Sequence, residues 1–560
     1  MRRSLNKKHF TITATLLLIL AACARPGARE RAALPDTLQP FAAQLLPLSD
    51  STQPCTGSFV AHDLDFVAEL PGGAAHMFDA NGAGAAIGDL DGDGRLDVVL
   101  ANQRGLNTIL WNTGGLHFRA EPMSAGSSRA VNLVDVDGDG QLDIVFSQRN
   151  SAPNYWRNSG DKVFTREPLP GVAKPGYAMA WGDLDGDGAL DLVTGSYDAG
   201  LLAEQGNDFL MSSGAGVFVY LRHGQTFTAR RLAAKSQAMA IALHDVDADG
   251  RRDILVGNDF AVRDMAWTRK GDNWVAAAPF RTTSHSTMSY DLGDIDNDGD
   301  FELFATDMKP YDNDVATLAL WRPILTTLWT AVPVGDPQIM ENTLQIADGR
   351  GGFRNQAYAR GADATGWSWS GEFGDLDNDG FLDLYVVNGM QEAEIFHYLP
   401  GHELVERNQA LRNDGAGTFA PRPDWGLDST GGGRGMSIGD LDSDGDLDIV
   451  VNNLRGPAQL FENRLCGGAS LEVDLRWPAS RNTQALGATL TLYTSAGPLT
   501  REVRSSTGYL SGAAPRVHFG LPTTATIERL DVRWPDGALS SVDRPVARTL
   551  MTVTRDDDTH

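Results

Sequence analysis

Seven times this chain repeats a nine-residue phrase with acidic residues at positions one, three, five and nine and glycine at position six. The copies are DLDGDGRLD (Asp89, Asp91, Asp93, Asp97), DVDGDGQLD (Asp135, Asp137, Asp139, Asp143), DLDGDGALD (Asp183, Asp185, Asp187, Asp191) and DVDADGRRD (Asp245, Asp247, Asp249, Asp253). Three more follow: DIDNDGDFE (Asp294, Asp296, Asp298, Glu302), DLDNDGFLD (Asp375, Asp377, Asp379, Asp383) and DLDSDGDLD (Asp440, Asp442, Asp444, Asp448). In a tight loop the first three carboxylates turn inward on alternate residues, the ninth closes the shell from the far side, and the carbonyl at position seven adds another oxygen. Glycine stands where the chain must reverse with dihedrals that a Cβ penalises. Oxygen-only ligands on a flexible loop favour Ca²⁺ over Mg²⁺, whereas zinc or copper would call for His or Cys, which the loops lack. The expected cofactor is therefore Ca²⁺, up to seven ions. An EF-hand would close with Glu at position twelve between helices. Here position nine closes, and β-formers such as DVVLAN and DIVFSQ follow it. Without a cation the clustered carboxylates repel one another, which makes these phrases poor ordinary turns.

The elements around the loops repeat too. Loop starts stand from 46 residues (Asp89 to Asp135) to 81 residues (Asp294 to Asp375) apart, and the shorter spacings match four short strands with their turns, the length of one propeller blade. A strand of small residues enters each loop (NGAGAAIG, PGYAMAWG, GGRGMSIG), an apolar strand leaves it, and a third strand ends in a Gly or Asn turn before Phe. Small residues suit strands that converge on a central channel. The fold class expected is all-β: a seven-bladed β-propeller over residues 51–466, followed by a small β domain over 467–560. A closed ring is favoured over an extended solenoid because the period is too long for short-turn β-helices. The last unit lacks a fourth strand after AQLFENRL, and TGSFVAHDLDF, ahead of the first unit, resembles the missing piece. Cys55 and Cys466 flank that junction, so a disulfide between them would staple the ring; two free thiols are the alternative.

The N-terminus reads as an export signal. Arg2, Arg3, Lys7 and Lys8 precede the apolar run FTITATLLLILAA, too short and too early for a spanning helix, and Leu20-Ala21-Ala22-Cys23 resembles a bacterial lipobox with Cys23 as the lipidated residue. Residues 1–22 form the signal peptide and 23–50, rich in Ala, Pro and Arg, a tether. The expected location is the bacterial envelope, as an outer-membrane lipoprotein facing periplasm or cell surface, held to the membrane by its lipid alone. That compartment permits a disulfide and supplies calcium. The net charge of −26 is mostly ligand charge, since seven Ca²⁺ bring it to about −12. The chain has no basic stripe, which argues against nucleic acid.

From residue 467 the acidic loops stop and alternating strands follow (LEVDLRW, ATLTLYT, REVRSS, RVHFG, IERLDVRWPDG, TLMTVTR), enough for a small independent β domain. The loops resemble the FG-GAP or VCBS repeats of integrin-type propellers. The tail resembles the ASPIC/UnbV domain through NTQALGAT (482–489), REV (501–503), GYLS (508–511), VHFGL (517–521) and VRWPDG (532–537). Together they resemble the bacterial cartilage-acidic-protein-like family, which implies extracytoplasmic calcium binding with adhesion or ligand recognition and supplies no catalytic residue set. The first expectation is therefore a cell-surface recognition module for an envelope protein or glycan, with two insertions, residues 303–366 and 388–409, as candidate contact surfaces. The alternative is a carbohydrate-active enzyme of lyase or dehydratase type using the channel, for which His285, Tyr290, Trp367 and Trp369 are the side chains nearest the expected axis. No HExxH motif occurs, and the histidines form no triad.

Overall fold

The computed structural model describes residues 38–49, 53–70, 75–76, 78–205, 215–260, 262–328 and 337–557. The expected signal peptide and Cys23 lie outside the described residues. The fold is all-β and propeller-like, built of many four-stranded antiparallel sheets. Each acidic phrase joins the first two strands of one sheet. In the first, Ala85–Gly88 pairs with Asp97–Leu100, which pairs in turn with Leu106–Asn112 and that with Phe118–Ala125. In all seven sheets, loop position nine is the first residue of the leaving strand. The small-residue strands are innermost and buried along their length, as in Ala178–Gly182 and Gly366–Gly374, whereas an outer strand such as Phe164–Glu167 is largely exposed. Close approach explains the glycines. A Cβ on Gly439 would sit 2.5 Å from Ile87 Cδ1 of the neighbouring sheet.

The innermost strands touch in chain order, and the last, Gly432–Gly439, touches the first, Ala85–Gly88. Asparagines at the ends of third strands tie sheet to sheet. Asn158 Nδ2 donates to Leu90 O (2.8 Å), Asn413 to Ile295 O (2.7 Å), Asn463 to Leu376 O (2.8 Å), and Asn112 to Leu441 O (2.6 Å), the last joining the first sheet to the final one. The strand Val60–Val67 pairs with Pro457–Glu462, so the final sheet takes its outer strand from the N-terminal segment. A disulfide links Cys55 to Cys466 at a Cα–Cα distance of 5.7 Å. Replacing both cysteines by serine is expected to lower stability by roughly 2–4 kcal/mol, read as a fall in melting temperature matched by reduction of the wild type. An unchanged melt would deny the link a stabilising role.

Three expectations need correction. The tether is not structureless throughout: Phe41–Pro47 is a strand paired antiparallel with Thr549–Arg555 (Phe41↔Arg555). Its Leu45 and Leu46 are about half exposed, so edge pairing rather than a buried face holds it, and no alternation marks it in the sequence. The stretch 303–366 is not one insertion, because Glu302–Ala305, Thr343–Ala347 and Phe353–Asn355 are strands of the fifth sheet. The inserted part contains the helix Val315–Leu328, whose Trp321 is 1 % exposed and donates from Nε1 to Glu406 Oε1 (3.0 Å), placing the helix against residues of the second insertion. Nor does the tail stand apart, because the described residues from 38 to 557 belong to one compact unit. The tail's two sheets are ordered Phe41–Pro47, Thr549–Arg555, Ala469–Arg476, Arg516–Leu521 and Gly497–Glu502, Thr489–Thr494, Ile527–Arg533, Leu539–Asp543.

Candidate functional site

The acidic loops fold as the glycine pattern requires. Position six has φ between +82° and +97° in all seven (Gly94, Gly140, Gly188, Gly250, Gly299, Gly380, Gly445). The carboxylate at position one is wrapped by the loop's own amides, Asp89 Oδ1 accepting from Gly92 N (2.8 Å) and Oδ2 from Gly94 N (3.0 Å). Position nine accepts from position two and from the third strand, Asp97 Oδ2 from Leu90 N (3.2 Å) and Oδ1 from Asn112 N (2.8 Å). Position five accepts from position seven, as Asp93 Oδ1 does from Arg95 N (3.0 Å). Position three is left over in four copies, Asp137, Asp296, Asp377 and Asp442 each burying an Oδ1 with no hydrogen-bond partner, whereas Asp91 and Asp185 accept from the position-five amide (3.2 Å each).

That pattern fits a cation. Asp89, Asp91 and Asp97 bring one oxygen each within 4.8 Å of one another, as do Asp135, Asp137 and Asp143, Asp183, Asp185 and Asp191, and Asp245, Asp247 and Asp253. Several of these Asp-rich clusters could therefore bind Ca²⁺. Burial is the largest influence on position nine, lifting the Asp97 carboxyl to about 7, Asp143 and Asp191 to about 8 and Glu302 to about 9. A bound divalent ion would reverse the preference for the neutral acid. Protein cations meanwhile sit against several loops: Lys162 Nζ lies 2.5 Å from Asp91, Arg157 pairs with Asp137, Lys270 with Asp247, and Arg412 reaches Asp377 and Asp379 at 2.5 Å each. The charges that act most strongly on Asp440 are of one sign, although Glu472 also pairs with Arg516 (3.5 Å). Burial, then Glu472, Asp448, Asp444 and Asp442, hold its carboxyl well above the usual range.

Glu472 belongs to the tail, and the tail lies on the loop face. Thr483 Oγ1 donates to Asp135, Arg516 Nη2 to Gly94 O (3.2 Å), Ser480 Oγ to Gly188 O (2.9 Å), and His518 Nε2 lies 3.1 Å from Gly445 O. Arg501 is buried with the Asp375 and Asp294 carboxylates acting on it. A groove of about 720 Å³ remains where the loops at Asp183 and Asp245 face the tail turn at Trp534 to Gly537. None of these partners was visible in the repeat, because the hydrogen bonds join residues from 73 (Gly445 and His518) to 422 (Gly94 and Arg516) positions apart. The tail motifs were the signals: REV carries Arg501, NTQALGAT carries Thr483 and VHFGL carries His518.

GYLS enters the channel. Tyr509 is fully enclosed, its ring 5.0 Å from that of Trp369 and its hydroxyl accepting from Gly82 N at 3.0 Å. Gly508 bridges to Tyr290, Gly512 bridges to Ala86, and Val131 N donates to Leu510 O (3.2 Å). The side chains expected near the axis divide accordingly. Trp369 packs on the inserted tyrosine and under Arg434, whose guanidinium lies 4.1 Å from its ring centre. Tyr290 donates to Asp264 Oδ2 (2.8 Å). Trp367 packs between Trp321 and Phe396. The His285 backbone donates to Asp307 Oδ2 (2.8 Å), and its ring lies 3.3 Å from Ser286 Oγ. These contacts do not gather the four into one catalytic set. His223, which the sequence reading left aside, lies with Asp185 and Asp187.

The fold and loops define a propeller-like repeat protein with acidic clusters typical of calcium-binding repeats. The FG-GAP-like repeat family matches residues 89–146, 135–194, 245–305 and 402–451, and the ASPIC and UnbV family matches residues 478–560. The chain is an FG-GAP repeat protein with a C-terminal ASPIC/UnbV domain, an arrangement consistent with the cartilage-acidic-protein-like family. No curated protein matches it. Among solved structures it is similar to the WD40 domain of Toxoplasma gondii coronin, with 12 % identity and a TM-score of 0.39 over 74 % of this chain and 89 % of that one. It is also similar to the Neurospora crassa Pan2 WD40 domain, with 7 % identity and a TM-score of 0.37 over 73 % and 97 %.

Proposed function

We propose that this protein is a lipid-anchored calcium-binding propeller of seven blades that acts as an adhesion or ligand-recognition module at the bacterial cell envelope. The observation that carries the reading is the row of buried, unpartnered position-three oxygens at Asp137, Asp296, Asp377 and Asp442, which a calcium ion in each loop would satisfy. Calcium is then structural. It fixes the loop face on which the ASPIC/UnbV tail lies, and recognition falls to the other face and its insertions. The disulfide suits an oxidising compartment, and Cys23 supplies the anchor. The ligand is an envelope protein or glycan; the acidic surface disfavours nucleic acid. The test is capture from envelope extracts and on a glycan array, with and without chelator. Binding that requires calcium is expected, and binding indifferent to chelator would remove calcium from the recognition scaffold.

A further inference from the structure

The seventh acidic loop differs from the others in what the fold sets against it. In five other loops position three meets a cation: Lys162 at Asp91, Arg157 at Asp137, Lys270 at Asp247, Arg360 at Asp296 and Arg412 at Asp377. Against the seventh loop the tail sets a carboxylate. Glu472 stands in the strand Ala469–Arg476, which is paired on both sides, in register with His518 of one neighbour and Leu550 of the other, so its backbone cannot draw back. It is 1 % exposed, and neither of its carboxylate oxygens has a hydrogen-bond partner. The same strand lies hard on the loop, since a Cβ on Gly445 would sit 2.4 Å from Ser470 Oγ. Glu472 and Asp440 line one cavity of about 130 Å³ between the loops and the tail. The other carboxylates on its wall each have a guanidinium acting on them: Asp375 has Arg501, Glu372 has Arg504, and Glu502 has Arg252 at 2.6 Å. Arg516 is engaged by Asp474 (3.0 and 3.2 Å) and by Gly94 O (3.2 Å), and it comes no nearer to Glu472 than 3.5 Å. Arg464, which acts on Asp442, is itself bound to Glu462 (2.6 Å).

Glu472 bears on positions one and five of the loop, its charge acting on Asp440 and Asp444 acting on it. As a neutral acid it would bury a donor without an acceptor. As an anion held by Arg516 alone it would share a guanidinium that Asp474 already occupies with both oxygens. Water in the cavity would bond to it but would not neutralise like charges on three neighbouring acids. A divalent cation does both. We propose that the seventh loop holds its Ca²⁺ jointly with the tail, Glu472 adding a fifth carboxylate to those of Asp440, Asp442, Asp444 and Asp448. This rests on the calcium reading of the loops and deepens it. One ion then joins propeller and tail, so the tail strands lock onto this loop as calcium binds, and the extra charge makes the seventh site tighter than its siblings.

Hydrogen exchange of the full chain, read peptide by peptide over stepped free Ca²⁺, tests this. Protection of residues 440–448 and of the tail strands Ala469–Arg476 and Arg516–Leu521 is expected to rise together, at a lower calcium concentration than protection of residues 245–253. In Glu472→Gln the midpoint for 440–448 is expected to move up by about tenfold or more, with that for 245–253 unchanged, since affinity follows the charge of the ligand set. Melts add a sign. Glu472→Gln should melt below the wild type in calcium and above it in chelator, where the amide relieves repulsion. An unchanged midpoint for 440–448, or a variant destabilised equally with and without calcium, would overturn the proposal and leave Glu472 a buried acid served by Arg516 and water. If Glu472→Gln does not fold, the wild type decides: tail strands that stay fully protected in chelator while 440–448 opens would count against a shared ion. Calcium that protects no loop removes the calcium reading together with this site, whereas protection of the other loops with Glu472→Gln indifferent removes the shared site alone.

Discussion

Removing calcium with a chelator is expected to lower the melting temperature by roughly 19 °C, and Asp440→Asn is expected to change sign with the metal: destabilising in calcium, stabilising in chelator. A site held at about a hundredfold excess over its dissociation constant contributes about 2.7 kcal/mol, and a chain of this length loses roughly 1 °C per kcal/mol at its midpoint. Seven such sites give the stated shift. The sign change follows from the environment of Asp440. It is buried, and Glu472, Asp448, Asp444 and Asp442 all oppose its ionisation. Without metal the folded state must protonate the cluster or suffer its repulsion, and a neutral amide relieves that. With metal the same amide removes a charged ligand. At Asp245, where Asp247 and Asp249 are exposed and Lys270 pairs with both, the equivalent substitution should change little in chelator. Melts of both variants with and without calcium decide this. An Asp440→Asn variant equally destabilised in both conditions would show that the loop is held by its hydrogen bonds and not by an ion.

The loops were legible because their information is local. Ligand type, spacing and the glycine at position six all lie within nine residues, and seven copies repeat them. The innermost strands were legible for a related reason: crowding at the axis leaves a composition of Gly, Ala, Ser and Met that can be read one strand at a time. Other features left little trace. Phe41–Pro47 becomes a strand only because Thr549–Arg555 offers an edge, so its own residues show no pattern. The bond of Trp321 to Glu406 has no motif, since it forms only when the inserted helix lies against the second insertion. The Asn that ends the third strands was visible as a turn residue, but its second task, bonding the preceding sheet's loop, needs the neighbour in place.

Gly508→Val is expected to abolish folding of the whole chain, not of the tail alone. Gly508 has φ +51°, and a Cβ there would lie 2.1 Å from Ser370 Oγ and 2.3 Å from Glu372 Oε1, both on the innermost strand Gly366–Gly374. Both atoms are side-chain ends on a fully buried strand, and moving them breaks the hydrogen bond from Tyr509 N to Ser370 Oγ (2.9 Å). Glu372 is itself buried, its carboxyl raised well above the usual range by burial and then by Asp291, and Arg504 from the tail lies 2.7 Å from Asp291. Displacing the GYLS segment therefore strands two acids as well as emptying the channel of Tyr509. Tyr509→Phe keeps the ring against Trp369 and loses the bond from Gly82 N and the hydrogen bond with Tyr177, at a cost of about 1–2 kcal/mol. Tyr509→Ala loses the ring too and should cost about 3–5 kcal/mol. The ordering of soluble yield and melting temperature, Phe above Ala above Gly508→Val, separates a plug that the propeller requires from a tail merely resting on it. A soluble Gly508→Val protein whose innermost strands keep wild-type hydrogen-exchange protection would refute the first.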